Sequence, residues 1–467
     1  MRCEMTYEDF LKTKQFTINP SGFEPYLING PHFDWQKDID RWAIKKGKSA
    51  LFEDCGLGKT LQQLEWAKQV SLHTNKPTLI VAPLAVSRQT KREGIKFGYE
   101  VTICRSQTDV QAGINITNYE ILEHFDASKF GGVVLDESSI LKSYSGKIKQ
   151  QIIDMFRYTP YKLACTATPA PNDFMELGNH AEFLGVMSRS EMLSTFFIHD
   201  GGSTQNWRLK GHAQDDFWKW VASWAVVLSN PSDLGYDGSA YELPKLNVIE
   251  HTVKVSQNFD STGQEMLFAP TVQTLNERRS ARHESLEARV KKCAEIANST
   301  DKQVLVWCDY NEESEKLTKA IRGAIEVTGA DSDEHKANAM AGFSNGDIRV
   351  LVSKPKIAGW GMNWQNCDTV IFCGLSDSFE SYYQAVRRCW RFGQQNEVNV
   401  HIVMSDAEES VKLNIERKQA DAQRMTAEMV KYTKDILRKN IRGTERQQDN
   451  YNATVDMVLP PWLERTE

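Results

Sequence analysis

The stretch of this 467-residue chain best suited to chemistry is Leu51–Leu61, LFEDCGLGKTL. Glycines at 56 and 58 let the backbone take positive φ and come close to a ligand with no Cβ in the way. Successive N–H groups through Gly56, Leu57 and Gly58 can wrap an anion, and a helix opening near Lys59 points its positive end at the same place. Lys59 adds a full charge for terminal phosphates, and the Thr60 hydroxyl is placed to hold Mg²⁺. The complete G-x-x-x-x-G-K-[ST] pattern asks for glycine at position 53, where this chain carries Glu53. Taken alone, the stretch reads as a phosphate loop ahead of the plainer alternative, a Gly-rich turn before a helix. Asp136-Glu137 closes the apolar run GVVLD. Asp136 can hold Mg²⁺ through water, and Glu137 can orient and polarise a water for in-line attack on a γ-phosphate. An isolated Asp-Glu pair more often lies in a solvated loop; the apolar lead-in and the upstream loop reverse that here. Gln384, Arg388 and Arg391 fall at i, i+4, i+7 of a helix expected over Phe379–Phe392. Two arginines so spaced repel unless an anion lies between them, and a γ-phosphate reached across a cleft is such an anion. The plainer reading is a basic surface patch. Gln36, on a helix spanning Pro31–Trp42, has an amide that could read an adenine edge, though a surface helical glutamine is the ordinary explanation.

These groups need elements to hold them. Thr78–Pro83, Gly132–Asp136 and Lys162–Thr166 are short, non-alternating apolar runs, the pattern of strands buried on both faces of a parallel sheet. Helical patterns separate them, and each ends in polar or special residues. That describes a doubly wound α/β domain with ligands at the C-terminal strand ends. A second set follows at Gln303–Asp309, Arg349–Ser353, Thr369–Cys373 and Val398–Met404, with Phe343-Ser344-Asn345-Gly346 as a helix ending in a glycine cap. The expected organisation is an N-terminal lead-in over 1–30 and a first α/β domain over 31–185. An aromatic-rich helical insertion follows over 186–245, then an inter-domain linker and helix over 246–300, a second α/β domain over 301–405 and a helical tail over 406–467. In the insertion, Phe217–Leu228 reads as an apolar helix. Its tryptophans fit a small core of their own better than a base-stacking platform. The charged helix Asn276–Ala297, bearing Arg278, Arg279, Arg282, Arg289, Lys291 and Lys292, reads as a solvated face.

Composition narrows the class. With 40% apolar and 25% charged residues the chain is an ordinary globular sequence. No apolar run approaches the length of about 18 residues that a membrane span needs, and the acidic N-terminus does not read as a secretory signal. The nine cysteines include no C-x-x-C pair. Cys104, Cys165, Cys308 and Cys373 sit in apolar runs, as small buried hydrophobes in a reducing, cytoplasmic compartment. A net charge of −6 leaves affinity for a polyanion to one basic face.

The order of these elements resembles that of superfamily 2 helicases, most closely the Swi/Snf-type DNA translocases, over residues 33–405. Trp35-Gln36 looks like their adenine-reading motif. EDCGLGKT at 53–60 resembles their phosphate loop, which itself lacks the first glycine. LIVAP at 79–83 and ITNYEIL at 116–122 look like motifs that track a strand. VVLDESSILKS at 133–143 resembles the DEAH-box segment, TATPAPND at 166–173 the coupling motif, SKPKIAGWGMNW at 353–364 the fifth motif and QAVRRCWRFGQ at 384–394 the sixth. LPKLNVIEHTVKVSQ at 243–257 is similar to the family's inter-lobe lead-in. The resemblance implies two tandem RecA-like P-loop domains that bind ATP and Mg²⁺ between them, with Gly361 and Gln384 facing the nucleotide and Arg388 and Arg391 as finger arginines. It implies nucleic-acid contacts at Pro83, Arg88, Asn118, Tyr119, Lys142, Ser353 and Asn363. The expected partner is DNA, duplex before single-stranded, with RNA open because no 2′-hydroxyl reader is identifiable. Replication or recombination proteins are further candidate partners, and the expected working form is a monomer of the kind common in bacteriophages. Ser139 replaces the family's usual His, and Arg387 stands where these proteins commonly carry Asp. The competing functional class is a nucleotide-gated DNA clamp or loader with little turnover; a P-loop kinase fits poorly, since nothing resembles an acceptor pocket.

Overall fold

The computed structural model describes residues 20–442 apart from 143–145, 172, 200–206, 254–282, 359–361, 377 and 406–407. Two parallel sheets form two lobes. The first has seven strands in the order β3-β4-β2-β5-β6-β1-β9. They are β1 (Lys48–Glu53), β2 (Thr78–Ala82), β3 (Val101–Ile103), β4 (Ile114–Asn118), β5 (Gly132–Asp136), β6 (Tyr161–Cys165) and β9 (Ala225–Leu228). Between β6 and β9 lies a small antiparallel hairpin, β7 (Phe197–His199) and β8 (Trp207–Leu209). The second sheet has six strands in the order β10-β15-β14-β11-β13-β12. These are β10 (Leu246–Val253), β11 (Val304–Trp307), β12 (Ala324–Val327), β13 (Val350–Ser353), β14 (Thr369–Cys373) and β15 (Val398–Ser405). The central strands β2, β11, β13 and β14 are buried at every position, which is why they read as unbroken apolar runs. The seven strands expected from sequence all form. The helix expected to end at a glycine cap does so, with Gly346 at φ 88°.

Three expectations need correction. Phe217–Leu228 is not one helix: α-helix Gln214–Ala222 ends and β9 follows, pairing in parallel with β1. An apolar run that is buried on all sides carries no periodicity to separate helix from strand. Trp218, Trp220 and Trp224 therefore fill the core of the first lobe, not a core of their own. Second, Leu246–Val253 and the helix Leu286–Asn298, both expected in the linker region, belong to the second lobe: β10 pairs with β15 along its whole length, and the helix packs Leu286, Val290 and Cys293 against that sheet. Third, Arg289 is fully buried, donating to the Glu313 carboxylate at 2.8 Å and to the Cys373 carbonyl at 2.9 Å. Arg278, Arg279 and Arg282 lie outside the described residues. Within the described residues the expected helical tail forms, and it braces the two lobes. Its helix, Glu409–Arg442, packs Val411 and Ile415 into the second-lobe core and Met425, Met429 and Leu437 into the two cores of the first. Tyr432 stacks on Trp218 with ring centroids 5.9 Å apart, and Arg438 donates to the carbonyls of Ser232 and Asp233.

Cys104, Cys165, Cys308 and Cys373 are buried thiols, as expected. No described helix is long and apolar enough to cross a membrane.

A candidate nucleotide site between two lobes

The phosphate loop joins β1 to α1 (Lys59–Thr74), with Gly58 as the residue before the helix at φ 85°. Gly56 also has positive φ, 91°, and a Cβ there would come within 3.0 Å of the Phe392 backbone nitrogen. At Gly58 a Cβ would lie 2.5 Å from the Gln36 amide nitrogen. Both glycines are thus required twice over, by dihedral and by approach. Position 53 needs no glycine because Glu53 is the last residue of a strand, its side chain buried inside the lobe. Burial pushes that carboxyl up to about 7, with Lys59 and Gln62 pulling it back. Lys59 Nζ donates to the carbonyls of Glu53 at 2.7 Å and Asp54 at 2.9 Å, a pair of weak acceptors that a phosphate would outbid. Thr60 stands half-buried beside it on the first turn of α1.

Gln36 is buried. Its carbonyl accepts from the Phe33 N–H at 3.0 Å and its amide donates to the Leu57 carbonyl at 2.9 Å. Each end keeps one further hydrogen-bonding position, enough for a purine edge. Tyr241, which sequence reasoning missed, meets Trp35 edge-on at 5.8 Å and stacks on Phe392 of the second lobe at 4.7 Å.

Asp136 ends β5, and Gln63 of α1 donates to its carboxylate at 2.8 Å. Burial raises both acidic side chains of the pair. Glu137 reaches about 7, driven by desolvation and by Asp136 and lowered by Lys59 and Arg388. Glu137 also has φ 54°, a left-handed conformation that non-glycine residues rarely hold and that gathers at functional sites. Thr166 Oγ1 lies 3.5 Å from its carboxylate. His180, from α2 (Leu177–Leu184), reaches Ser138 at 3.1 Å. Burial drives that imidazole down to about 4, so it is neutral. Nothing in the local pattern around 180 marks it. Ser139 itself is buried.

From the second lobe, α3 (Phe379–Val386) is shorter than expected, and Arg388 and Arg391 lie on turns beyond it. They still converge. Arg388 Nη1 and Arg391 Nη1 both donate to the Met362 carbonyl, at 3.2 and 3.1 Å. Arg388 Nε is held by the carbonyl of Gln384, which is buried. The charge of Arg388 is felt at Glu137 across the cleft. Burial and the neighbouring Arg388 push Arg391 down to about 10. One buried and one half-buried guanidinium sharing one neutral acceptor form a site short of an anion. Gly361 lies outside the described residues. Glycine cradle, lysine, hydroxyl, paired carboxylates and facing arginines form a donor set that fits ATP with Mg²⁺, and Thr60 and Asp136 are the residues that would hold the metal.

A second cleft of about 650 Å³ opens beside Glu137. Pro83, Arg88, Asn118, Tyr119 and Lys142 line it from the first lobe, and Lys336 and Lys356 from the second. Several of these groups have internal partners. Tyr119 donates to the Asp136 carbonyl at 2.7 Å, Asn118 caps Glu120 at 3.1 Å, and Lys142 pairs with Glu380 of α3. Asn363 is exposed but does not line this cleft. Ser353 does not reach it: it is fully buried and donates to the Val327 carbonyl at 2.8 Å.

Fold and site together describe a two-lobed α/β protein in which a phosphate-loop sequence on the first lobe faces a pair of arginines on the second. Two family models match, the SNF2-related domain over residues 35–197 and the helicase conserved C-terminal domain over 287–393. The chain belongs to the Swi/Snf-type branch of the superfamily 2 helicases. Among relatives, the ISWI chromatin-remodeling complex ATPase ISW2 of Saccharomyces cerevisiae is 27% identical over 40% of this chain and 19% of its own length. The human DNA annealing helicase and endonuclease ZRANB3 is 20% identical over 82% of this chain and 39% of its own. The chain therefore spans well under half the length of either. A Sulfolobus solfataricus SWI2/SNF2 ATPase core in complex with dsDNA aligns over 90% of this chain and 98% of its own, at 18% identity and TM-score 0.41.

The raised Glu137 carboxyl predicts a pH dependence for any ATP turnover that uses it. If Glu137 acts ionised, kcat/KM for ATP rises with pH up to about 7 and then flattens. The sign for stability is opposite. A carboxyl whose pKa is higher folded than unfolded binds protons in the native state that the unfolded chain has released, so nucleotide-free stability falls as pH climbs from 4.5 to about 7. Rate profiles and urea titrations across that range check both; a flat rate profile removes Glu137 as the ionising group.

Proposed function

We propose that this chain is a nucleic-acid-dependent ATPase that moves on DNA. What supports the reading most is one juxtaposition: Lys59 and Glu137 on one wall of a cleft, Arg388 and Arg391 on the other. Lys59 and the N–H groups of Gly56–Thr60 hold the β- and γ-phosphates. Glu137, set in place by its left-handed backbone, orients the attacking water and accepts its proton. Arg388 and Arg391 leave the Met362 carbonyl for the charge that develops on the transferring phosphoryl group. Mg²⁺ at Thr60 and Asp136 would neutralise charge between the phosphates. Both halves of the site lie in one chain, so a monomer is the working unit. The basic cleft beside Glu137 takes the phosphate backbone of DNA, with duplex preferred and replication or recombination proteins as partners. A phosphate there competes with Glu380 for Lys142, which links DNA binding to the distance between the lobes.

The test is ATPase rate with duplex DNA, single-stranded DNA or RNA, beside a strand-displacement assay. Duplex DNA is expected to stimulate most. A rate indifferent to every nucleic acid favours the clamp or loader instead. Strand displacement separates a helicase from a translocase that moves without unwinding.

A further inference from the structure

Beside the phosphate loop the two lobes are joined by a contact that the nucleotide chemistry does not use. Asp54, directly before Cys55 and Gly56 of the loop, has its carboxylate shared between lobes. Oδ2 accepts from Arg387 Nη2 at 2.6 Å and Oδ1 from the Tyr383 hydroxyl at 2.6 Å, while the Cys55 N–H also donates to Oδ1. The same Arg387 nitrogen donates to the Cys55 carbonyl at 2.9 Å. Arg387 is 4% exposed and Asp54 26%. The guanidinium carbon lies 5.8 and 5.1 Å from the ring centroids of Tyr383 and Trp390. Trp390 in turn donates to the Pro244 carbonyl at 2.7 Å, two residues before β10 enters the second lobe. The contact therefore ties three things together: the strand-to-loop junction of the first lobe, the turn that carries the finger arginines, and the crossing between lobes.

We propose that Arg387 is a positioning residue, a latch that holds the two lobes closed and the phosphate loop in register before nucleotide arrives. The reasoning is geometric. Arg387 precedes Arg388 in the chain, so wherever Asp54 draws the one, the other is delivered to the cleft facing Glu137. A buried guanidinium within cation–π distance of two rings has few rotamers left to lose, so the pairing costs little entropy to form. Because the pair is largely desolvated, it is screened less by salt than a surface pair. The pair also compensates the Asp54 charge, which otherwise would repel the phosphates that the loop receives. Closure before binding lowers the cost of bringing the arginines to the transferring phosphate. Its loss should then appear in kcat more than in ATP affinity, because Lys59 and Thr60 remain on one lobe. This step rests on the ATPase reading for its kinetic consequence but not for the latch itself.

The experiment uses the full chain labelled at Tyr158 and Lys319, exposed positions on the two lobes, and reads energy transfer without nucleotide. Wild-type protein should show one short-distance population. Arg387→Gln and Asp54→Asn should each shift it to a longer distance, bounded because the Glu409–Arg442 helix still bridges the lobes. The double variant should go no further than the larger single effect. In steady state Arg387→Gln should lower kcat about tenfold and change KM for ATP less than threefold. Tyr383→Phe removes one hydroxyl without disturbing the core and should give a smaller shift in the same direction, which keeps the test decisive if either charge variant folds poorly. Unchanged distances in Arg387→Gln and Tyr383→Phe, or effects that add in the double variant, would falsify the latch. Since the distance is read with no turnover, a chain that failed to hydrolyse ATP would sink the functional reading and leave the latch standing.

Discussion

Lys59→Ala is expected to abolish ATP turnover, a loss of about 10²–10³-fold or more, which is roughly 3–4 kcal/mol of transition-state stabilisation. The ammonium is the only full positive charge that the phosphate loop itself carries, and it leans on two backbone carbonyls, Glu53 and Asp54, until phosphate displaces them. Alanine at the first position of the helix is a good helix former, so the fold should survive. Thermal melting should stay within a few degrees of wild type while phosphate release falls to background. A mutant that kept wild-type turnover would mean this loop does not hold the nucleotide.

The second large effect is at the arginines. Arg388→Ala and Arg391→Ala are each expected to lower kcat by about 10³-fold or more, within the range for arginines that complete a phosphoryl-transfer site. ATP affinity should change little, because the contacts that hold the nucleotide come from the other lobe. The two losses should not add, since both side chains share the Met362 carbonyl and removing one cation relieves its repulsion on the other. Lysine at either position should not restore the rate, because an ammonium cannot keep the Met362 contact and present a fork to phosphate together. Single-turnover rates with pre-bound ATP test this directly. Wild-type kcat in either variant would place the arginines outside the reaction, whatever their position in the cleft.

Both predictions rest on residues that the chain singles out before any fold is known. The phosphate loop is local: glycines, lysine and hydroxyl within eleven residues need only their own backbone to form a cradle. The parallel strands were equally legible, because a strand covered on both faces shows as an unbroken apolar run. Periodicity failed where burial was complete, as at Phe217–Leu228, and charge misled at Arg289, whose buried partners Glu313 and Cys373 are distant in sequence. Ser353, at a motif position, turned inward to Val327 because β13 is a central strand with no free face.

The sequence by itself determined which chemical groups exist, their order, and the two α/β lobes that carry them. Only the tertiary structure decided what those groups meet: Asp54 with Arg387 and Tyr383, Lys142 with Glu380, Trp218 with Tyr432. The first of these pairs lies 333 residues apart. Contacts of that kind leave no spacing in the chain to read, because they are set by how two separately folded sheets dock and by the long helix that braces them, and not by any repeat along the backbone.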